Sequence, residues 1–131
     1  LAYHLNEWLR TVQISYAFCH LDKDAGHLLS LYALDYLKHK VNLRIDHRIG
    51  GHFGATWNLS WQQREGRYTD ADGVAQDYKP CTLFDGRIYW RNRHLNIYAE
   101  CTNIFNVTHY DYGGLLQPGR WLRAGISVTL L

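Results

Sequence analysis

The chain has 131 residues, of which 47% are hydrophobic, 20% charged and two are proline, a composition that argues against a disordered polymer and fits one folded unit. Its formal net charge of +2 implies no polyanion, so nucleic acid is not an expected partner. No window approaches the ~18 consecutive apolar residues of a membrane-spanning helix, and the opening LAYHLNEWLR lacks the order of a signal peptide.

Between Trp8 and His20, Val12, Ile14, Tyr16 and Phe18 alternate with Thr11, Gln13, Ser15 and Ala17. This period of two predicts a first strand. HLLSLYALDYL, residues 27–37, allows a turn or two of helix within a loop. YLKHKVNLRIDHRI follows, with Leu37, Val41, Leu43, Ile45 and Ile49 on one side and Lys38, Lys40, Asn42, Arg44, Asp46 and Arg48 on the other. A third strand alternates Phe53, Ala55, Trp57, Leu59 and Trp61 with Gly54, Thr56, Asn58, Ser60 and Gln62. A fourth sets Phe84, Gly86, Ile88 and Trp90 against Asp85, Arg87, Tyr89 and Arg91. The fifth sets Leu95, Ile97, Ala99 and Cys101 against Asn96, Tyr98, Glu100 and Thr102, and the last sets Leu122, Ala124, Ile126, Val128 and Leu130 against Arg123, Gly125, Ser127 and Thr129.

The expected fold is therefore all-β, an antiparallel up-and-down meander of about six long strands. Long connections follow strands one, three and five and short ones follow strands two and four, so the long loops gather at one end of the sheet. Paired residues must share a face. That condition predicts an odd-length turn around Gly50-Gly51-His52 with a glycine-supported bulge. It also predicts an even-length turn at Asn92-Arg93 that sets Trp90 opposite Leu95 and Ile88 opposite Ile97, or a turn widened to four residues because Arg93 suits positive φ poorly.

Alternation fits a soluble sheet with its apolar face inward, such as a β-barrel binding a small hydrophobic ligand, and equally a membrane barrel with that face on lipid. Three features favour lipid. The strands are expected to run about 12 to 14 residues, more than a tilted bilayer span of ~9–11. Phe18, Phe53, Trp61 and Trp90 sit near strand ends, as in interfacial girdles. The polar face carries charges of both signs, among them Arg44, Asp46, Asp85, Arg87, Glu100 and Arg123, as a wet lumen would. The membrane-facing set is then Val12, Ile14, Tyr16, Phe18, Val41, Leu43, Ile45, Trp57, Leu59, Ile88, Trp90, Leu95, Ile97, Ile126, Val128 and Leu130.

Asn103-Ile104-Phe105-Asn106, followed by Pro118-Gly119-Arg120 at the entrance to the last strand, resembles the end of TonB-dependent outer-membrane receptors, whose penultimate strand closes in Asn-Leu-Phe-Asn. The upstream strands look like those of the same family, so the likeness covers nearly the whole chain. Ile104 stands where Leu is usual, and Leu130, followed by Leu131, stands where an aromatic usually closes the strand. The resemblance implies that residues 1–131 form the C-terminal portion of a transmembrane barrel of ~22 strands, with the plug and TonB box upstream. It further implies a ligand-gated importer in the outer membrane of a Gram-negative bacterium. The partners would be the TonB complex, outer-membrane lipid, the barrel-assembly machinery and a small-molecule substrate such as a siderophore-iron complex or a vitamin.

The loop motif HYDYGG offers Tyr110, Asp111 and Tyr112 as candidate ligand contacts, because aromatic side chains give large rigid area on an exposed loop. The eight histidines are scattered without metal-binding spacing, His39 and His47 falling on the apolar parity. No nucleophile motif is present, so no metal, no cofactor and no catalytic residue is expected. Cys19, Cys81 and Cys101 show no CxxC, and Cys81 and Cys101 have opposite parity, which predicts that these two stay unpaired.

Overall fold

The computed structural model describes residues 2, 3, 7–20, 35–70 and 72–130; of the candidate helical turn over 27–37, residues 27–34 lie outside them, while Tyr36 and Leu37 open a strand instead. Regular structure is all-β apart from a 3-10 turn at Tyr112–Gly114. The strands are β1 (Ala2–Tyr3), β2 (Leu9–Phe18), β3 (Tyr36–Gly50), β4 (Phe53–Glu65), β5 (Arg67–Thr69), β6 (Ala75–Asp77), β7 (Cys81–Arg91), β8 (Leu95–Thr102), β9 (Tyr110–Asp111), β10 (Leu115–Leu116) and β11 (Trp121–Val128). The main sheet runs β1-β2-β3-β4-β7-β8-β11, and β5–β6 and β9–β10 form two small hairpins. Every pairing is antiparallel. The six long strands make the expected meander, and among the described residues the sheet is open, with β1 and β11 at its edges.

Lengths depart from the expected range. β3 and β4 reach 15 and 13 residues, β2 and β7 have 10 and 11, and β8 and β11 have only 8 each. The last β8–β11 pair is Thr102↔Trp121, because Asn103 takes a left-handed φ of 49° and turns the chain out of the ladder. At the other end β11 stops at Val128, so Leu130 lies beyond the strand and is 90% exposed.

Register follows parity. Val12↔Ile45, Ile45↔Trp57, Trp57↔Gly86, Gly86↔Cys101 and Cys101↔Leu122 form one apolar row across all six strands. A shift between Arg48 and Gly50 supplies the expected bulge, and Gly51, at φ +53°, makes the turn. The second turn corrects the narrower expectation. Asn92 Oδ1 accepts the N–H groups of His94 and Leu95, and the Asn92 N–H donates to the Leu95 carbonyl at 2.9 Å. These bonds close a wider turn, so Trp90 faces Ile97 and Ile88 faces Ala99.

On the polar face, Gly54↔Tyr89, Tyr89↔Tyr98 and Tyr98↔Gly125 lie in a single row. A Cβ on Gly54 would meet the Tyr89 ring at 2.5 Å, and one on Gly125 would meet Tyr98 at 2.7 Å. Each tyrosine therefore occupies the hollow left by the glycine beside it. Little else is enclosed. Among the described residues the buried hydrophobic side chains are Ala55, Tyr78, Cys81 and Tyr89, and no large side chain is fully buried.

Candidate functional site

The long connections bring together residues far apart in sequence. Asp35, which immediately precedes β3, is buried, and its Oδ1 accepts from Arg64 at 3.0 Å. Its Oδ2 accepts from the Tyr78 hydroxyl and the Gly113 N–H, each at 2.7 Å. Arg64 also pairs through Nη2 with Asp111. The Tyr78 hydroxyl accepts from the Gly114 N–H at 2.9 Å. Burial first, and the hydrogen bond to Asp35 second, push the Tyr78 phenol up to about 12, so at neutral pH it stays a donor. This network ties the chain entering β3, the end of β4, the β6–β7 connection and the loop after β9 into one cap.

Tyr110, Asp111 and Tyr112 all fall here, in different roles. Tyr110 stacks on Tyr68 at 4.4 Å between ring centroids, and Tyr68 lies 5.0 Å from Tyr78. Asp111 pairs with Arg64 and its Oδ1 accepts the Tyr112 N–H at 2.8 Å, opening the 3-10 turn. Its charge holds the loop. Tyr112 is 49% exposed. A cavity of about 350 Å³ adjoins the tyrosine stack, lined by Tyr68, Gln76, Tyr78, Lys79, His109 and Tyr110 among others. Ring faces, an amide, an ammonium and an imidazole suit it to a small polar or aromatic solute.

Sequence reasoning missed Asp35, Arg64, Tyr68, Gln76, Tyr78, Lys79 and His109. One signal was available, because DADGV is a turn sequence between RYT and AQD. Asp70 Oδ1 accepts the N–H groups of Asp72 and Val74 at 3.1 and 2.8 Å. These bonds, that from Val74 foremost, and the one from the Gln76 side chain lower the Asp70 carboxyl. The β5–β6 hairpin thus presents Tyr68 and Gln76.

The two motifs that carried the family likeness meet. Asn103 and Asn106 both adopt positive φ, 49° and 54°. The buried Asn103 side chain bonds the Val107 backbone twice, at 2.8 Å each, and its N–H donates to Asp85 Oδ1 at 2.9 Å. Asn106 Oδ1 accepts the Arg120 N–H at 2.8 Å, and a Cβ on Gly119 would lie 2.5 Å from that oxygen. The motifs form a structural corner that aims β11 along β8.

Of the apolar set, Val12, Ile14, Tyr16, Val41, Leu43, Ile45, Trp57, Leu59, Ile88, Trp90, Leu95, Ile97, Ile126 and Val128 share one face by register, together with Phe18. Phe18, His39, Tyr16 and Trp61 cluster towards the loop end, while Phe53↔Trp90 and His52 cluster at the turn end. Between them Trp57 stacks on Phe84 at 5.7 Å and donates its indole N–H to His47 Nε2 at 2.9 Å. Cys81 pairs with Gln62 on the polar face and Cys101 with Gly86 on the apolar one, so the sheet separates these thiols. Among the described residues no group of three or more His, Cys, Asp or Glu is placed to hold a metal. In comparisons with protein families, curated proteins and solved structures, nothing matches this chain.

Proposed function

We propose that this sheet is a stretch of the wall of a transmembrane β-barrel, and that the barrel is a TonB-energised outer-membrane transporter importing a scarce nutrient such as a siderophore-iron complex or a vitamin. The observation that carries the reading is the uncovered apolar face. Ten of its large side chains are exposed, among them Leu122 at 80% and Ile126 at 68%. At ~1.5–3 kcal/mol for each large side chain fully buried, covering them is worth on the order of 10 kcal/mol, comparable with the whole ~5–15 kcal/mol stability of a domain. Aqueous solvent on that face would forgo this; hydrocarbon supplies it. From Phe53 to Trp61 the strand rises ~26 Å, or ~20 Å once tilted, which suits an apolar band of ~25 Å between aromatic girdles.

The family assignment rests on the corner at Asn103, Asn106, Gly119 and Arg120, where residues of both motifs bond one another. In this reading β1 and β11 continue into further strands, the loop cap faces outside, and Tyr68, Tyr110 and Tyr112 contact the solute. The chemistry is transport, with no catalytic residue, and the partners are outer-membrane lipid, the barrel-assembly machinery and the TonB complex.

A groove of about 480 Å³ on the apolar face, lined in part by Trp57, Gly86, Cys101 and Leu122, favours a second reading, a soluble β protein holding a small hydrophobic ligand. One experiment separates the two. With the native cysteines replaced by serine, single cysteines at Asn42, Leu43 and Ile45 are treated with a thiol reagent confined to the lipid phase. Labelling of Leu43→Cys and Ile45→Cys but not Asn42→Cys supports the barrel. Protection of both, with full solubility in plain buffer, sinks it.

A further inference from the structure

On the polar face, towards the short-turn end of the sheet, a cavity of about 180 Å³ is lined by Arg10, Arg44, Arg87 and Arg91 around the single carboxylate of Asp46. That carboxylate is satisfied by neutral donors, Thr56 at 2.7 Å and Tyr89 at 3.2 and 3.3 Å. Arg10 donates to the Tyr89 hydroxyl at 3.0 Å, and the Arg91 guanidinium lies 5.2 Å from the Tyr89 ring. Arg87 is 4.0 Å from Glu100, whose other oxygen is taken by Arg123 at 2.5 Å. The Arg44 side chain makes no hydrogen bond or ion pair among the described residues, its backbone lying in the ladder opposite Gln13 and Asn58. The nearby Asp85 is likewise occupied by neutral donors, Asn58 Nδ2 and the Asn103 N–H.

Arg87 shares Glu100 and Arg10 bonds the Tyr89 hydroxyl, which leaves Arg44 and Arg91 without a carboxylate partner among the described residues while Asp46, the one carboxylate lining the cavity, is taken by neutral donors. Guanidiniums tolerate this crowding best when an anion lies among them, because each offers a planar pair of donors that matches two oxygens at once. The space exceeds the ~30 Å³ share of a water molecule several-fold and accommodates a group the size of phosphate. We propose that this patch binds a small, multiply charged oxyanion of the phosphate or polycarboxylate class, gripped by Arg44 and Arg91, with Arg10 braced through Tyr89. Asp46 fixes the hydroxyls that position the arginines and, by its own charge, keeps the grip weak enough to release. The site lies at the opposite end of the sheet from the tyrosine cap, and it stands whether lipid or protein covers the other face.

The test uses the intact protein carrying this chain, in detergent micelles at low ionic strength, titrated with inorganic phosphate and, separately, citrate. Binding should weaken at least five-fold in Arg44→Gln and in Arg91→Gln and tighten in Asp46→Asn. Lys40→Gln, on the same strand nearer the loop end, should bind as the wild type does. Circular dichroism checks that each variant keeps its strands. Should Arg44→Gln fail to fold, Arg44→Lys retains the charge without the planar fork and is expected to bind at an intermediate strength. Absence of binding by the wild type at tens of millimolar phosphate and citrate, or equal affinity in the Arg44→Gln/Arg91→Gln double variant, overturns the proposal. So does a fall in melting temperature in Arg44→Gln with no anion binding in any variant, which would assign the patch to a carboxylate of the protein itself.

Discussion

The strand slab and the loop cap are built on opposite rules. In the slab, isoleucines, leucines and aromatics stand exposed while the backbone ladder supplies the order. In the cap, the buried groups are polar, Asp35 and Asn103 among them, and order comes from ion pairs and hydrogen bonds between distant segments. In the proposed barrel, hydrocarbon would be the good solvent for the apolar face of the slab, while water would wet the cap.

The largest effect should come from charging the slab. Val41→Arg is expected to cost ~2–4 kcal/mol at the bilayer midplane and to block insertion into liposomes, whereas Arg44→Leu, three positions along on the other face, should insert normally. Equal insertion by the two would abolish the distinction between the faces. Next, Asp35→Ala in the cap should cost about 2–3 kcal/mol, because Arg64, Tyr78 and the Gly113 N–H all lose an acceptor. Hydrogen exchange at Gly113 and Gly114 should accelerate while the β3–β4 ladder stays protected.

The pH response of the cap should be smaller and one-sided. The Tyr78 phenol is raised in the folded state to about 12, so its contribution is complete below the ordinary value near 10 and is lost as pH climbs through the folded one. Tyrosinate absorbance should report Tyr78 among the late-titrating phenols, with its neighbour Tyr68 also raised, by burial first, and the difference between the wild type and Asp35→Asn should show the Tyr78 component coming down. The smallest effect is expected at Arg67–Asp77, whose side chains are 70% and 75% exposed. Arg67→Gln should change stability by less than ~0.5 kcal/mol in a urea titration, and a larger loss would mean that the β5–β6 hairpin is held by more than its backbone.

The slab was legible from sequence because period-two alternation is local and each strand carries its own copy. The width of the Asn92 turn was less so, since it depends on which N–H groups one side chain captures rather than on the apolar pattern. The cap was nearly illegible. Asp35, Arg64 and Tyr78 are brought together only once the meander has placed the β3 entry beside the β4 exit, and no spacing along the chain encodes that. Of HYDYGG, the aromatic character was readable, but the use of Asp111 as a partner of Arg64 was not. The Asn103 and Asn106 motif was visible as a pattern, while its left-handed backbone explains why asparagine serves there.

The row of Gly54, Tyr89, Tyr98 and Gly125 bears on how the strands find one another. A slip of one residue exposes itself at once, because it throws apolar side chains onto the wet face. A slip of two keeps every face correct, and hydropathy is blind to it. Shifting β11 by two along β8 sets Arg123 or Ser127, in place of Gly125, beneath the Tyr98 ring; the same shift of β4 along β7 brings Thr56, in place of Gly54, under Tyr89. The glycines and tyrosines thus work as a detent. A strand that docks out of step cannot seat, remains free to leave, and settles only where ring and hollow coincide.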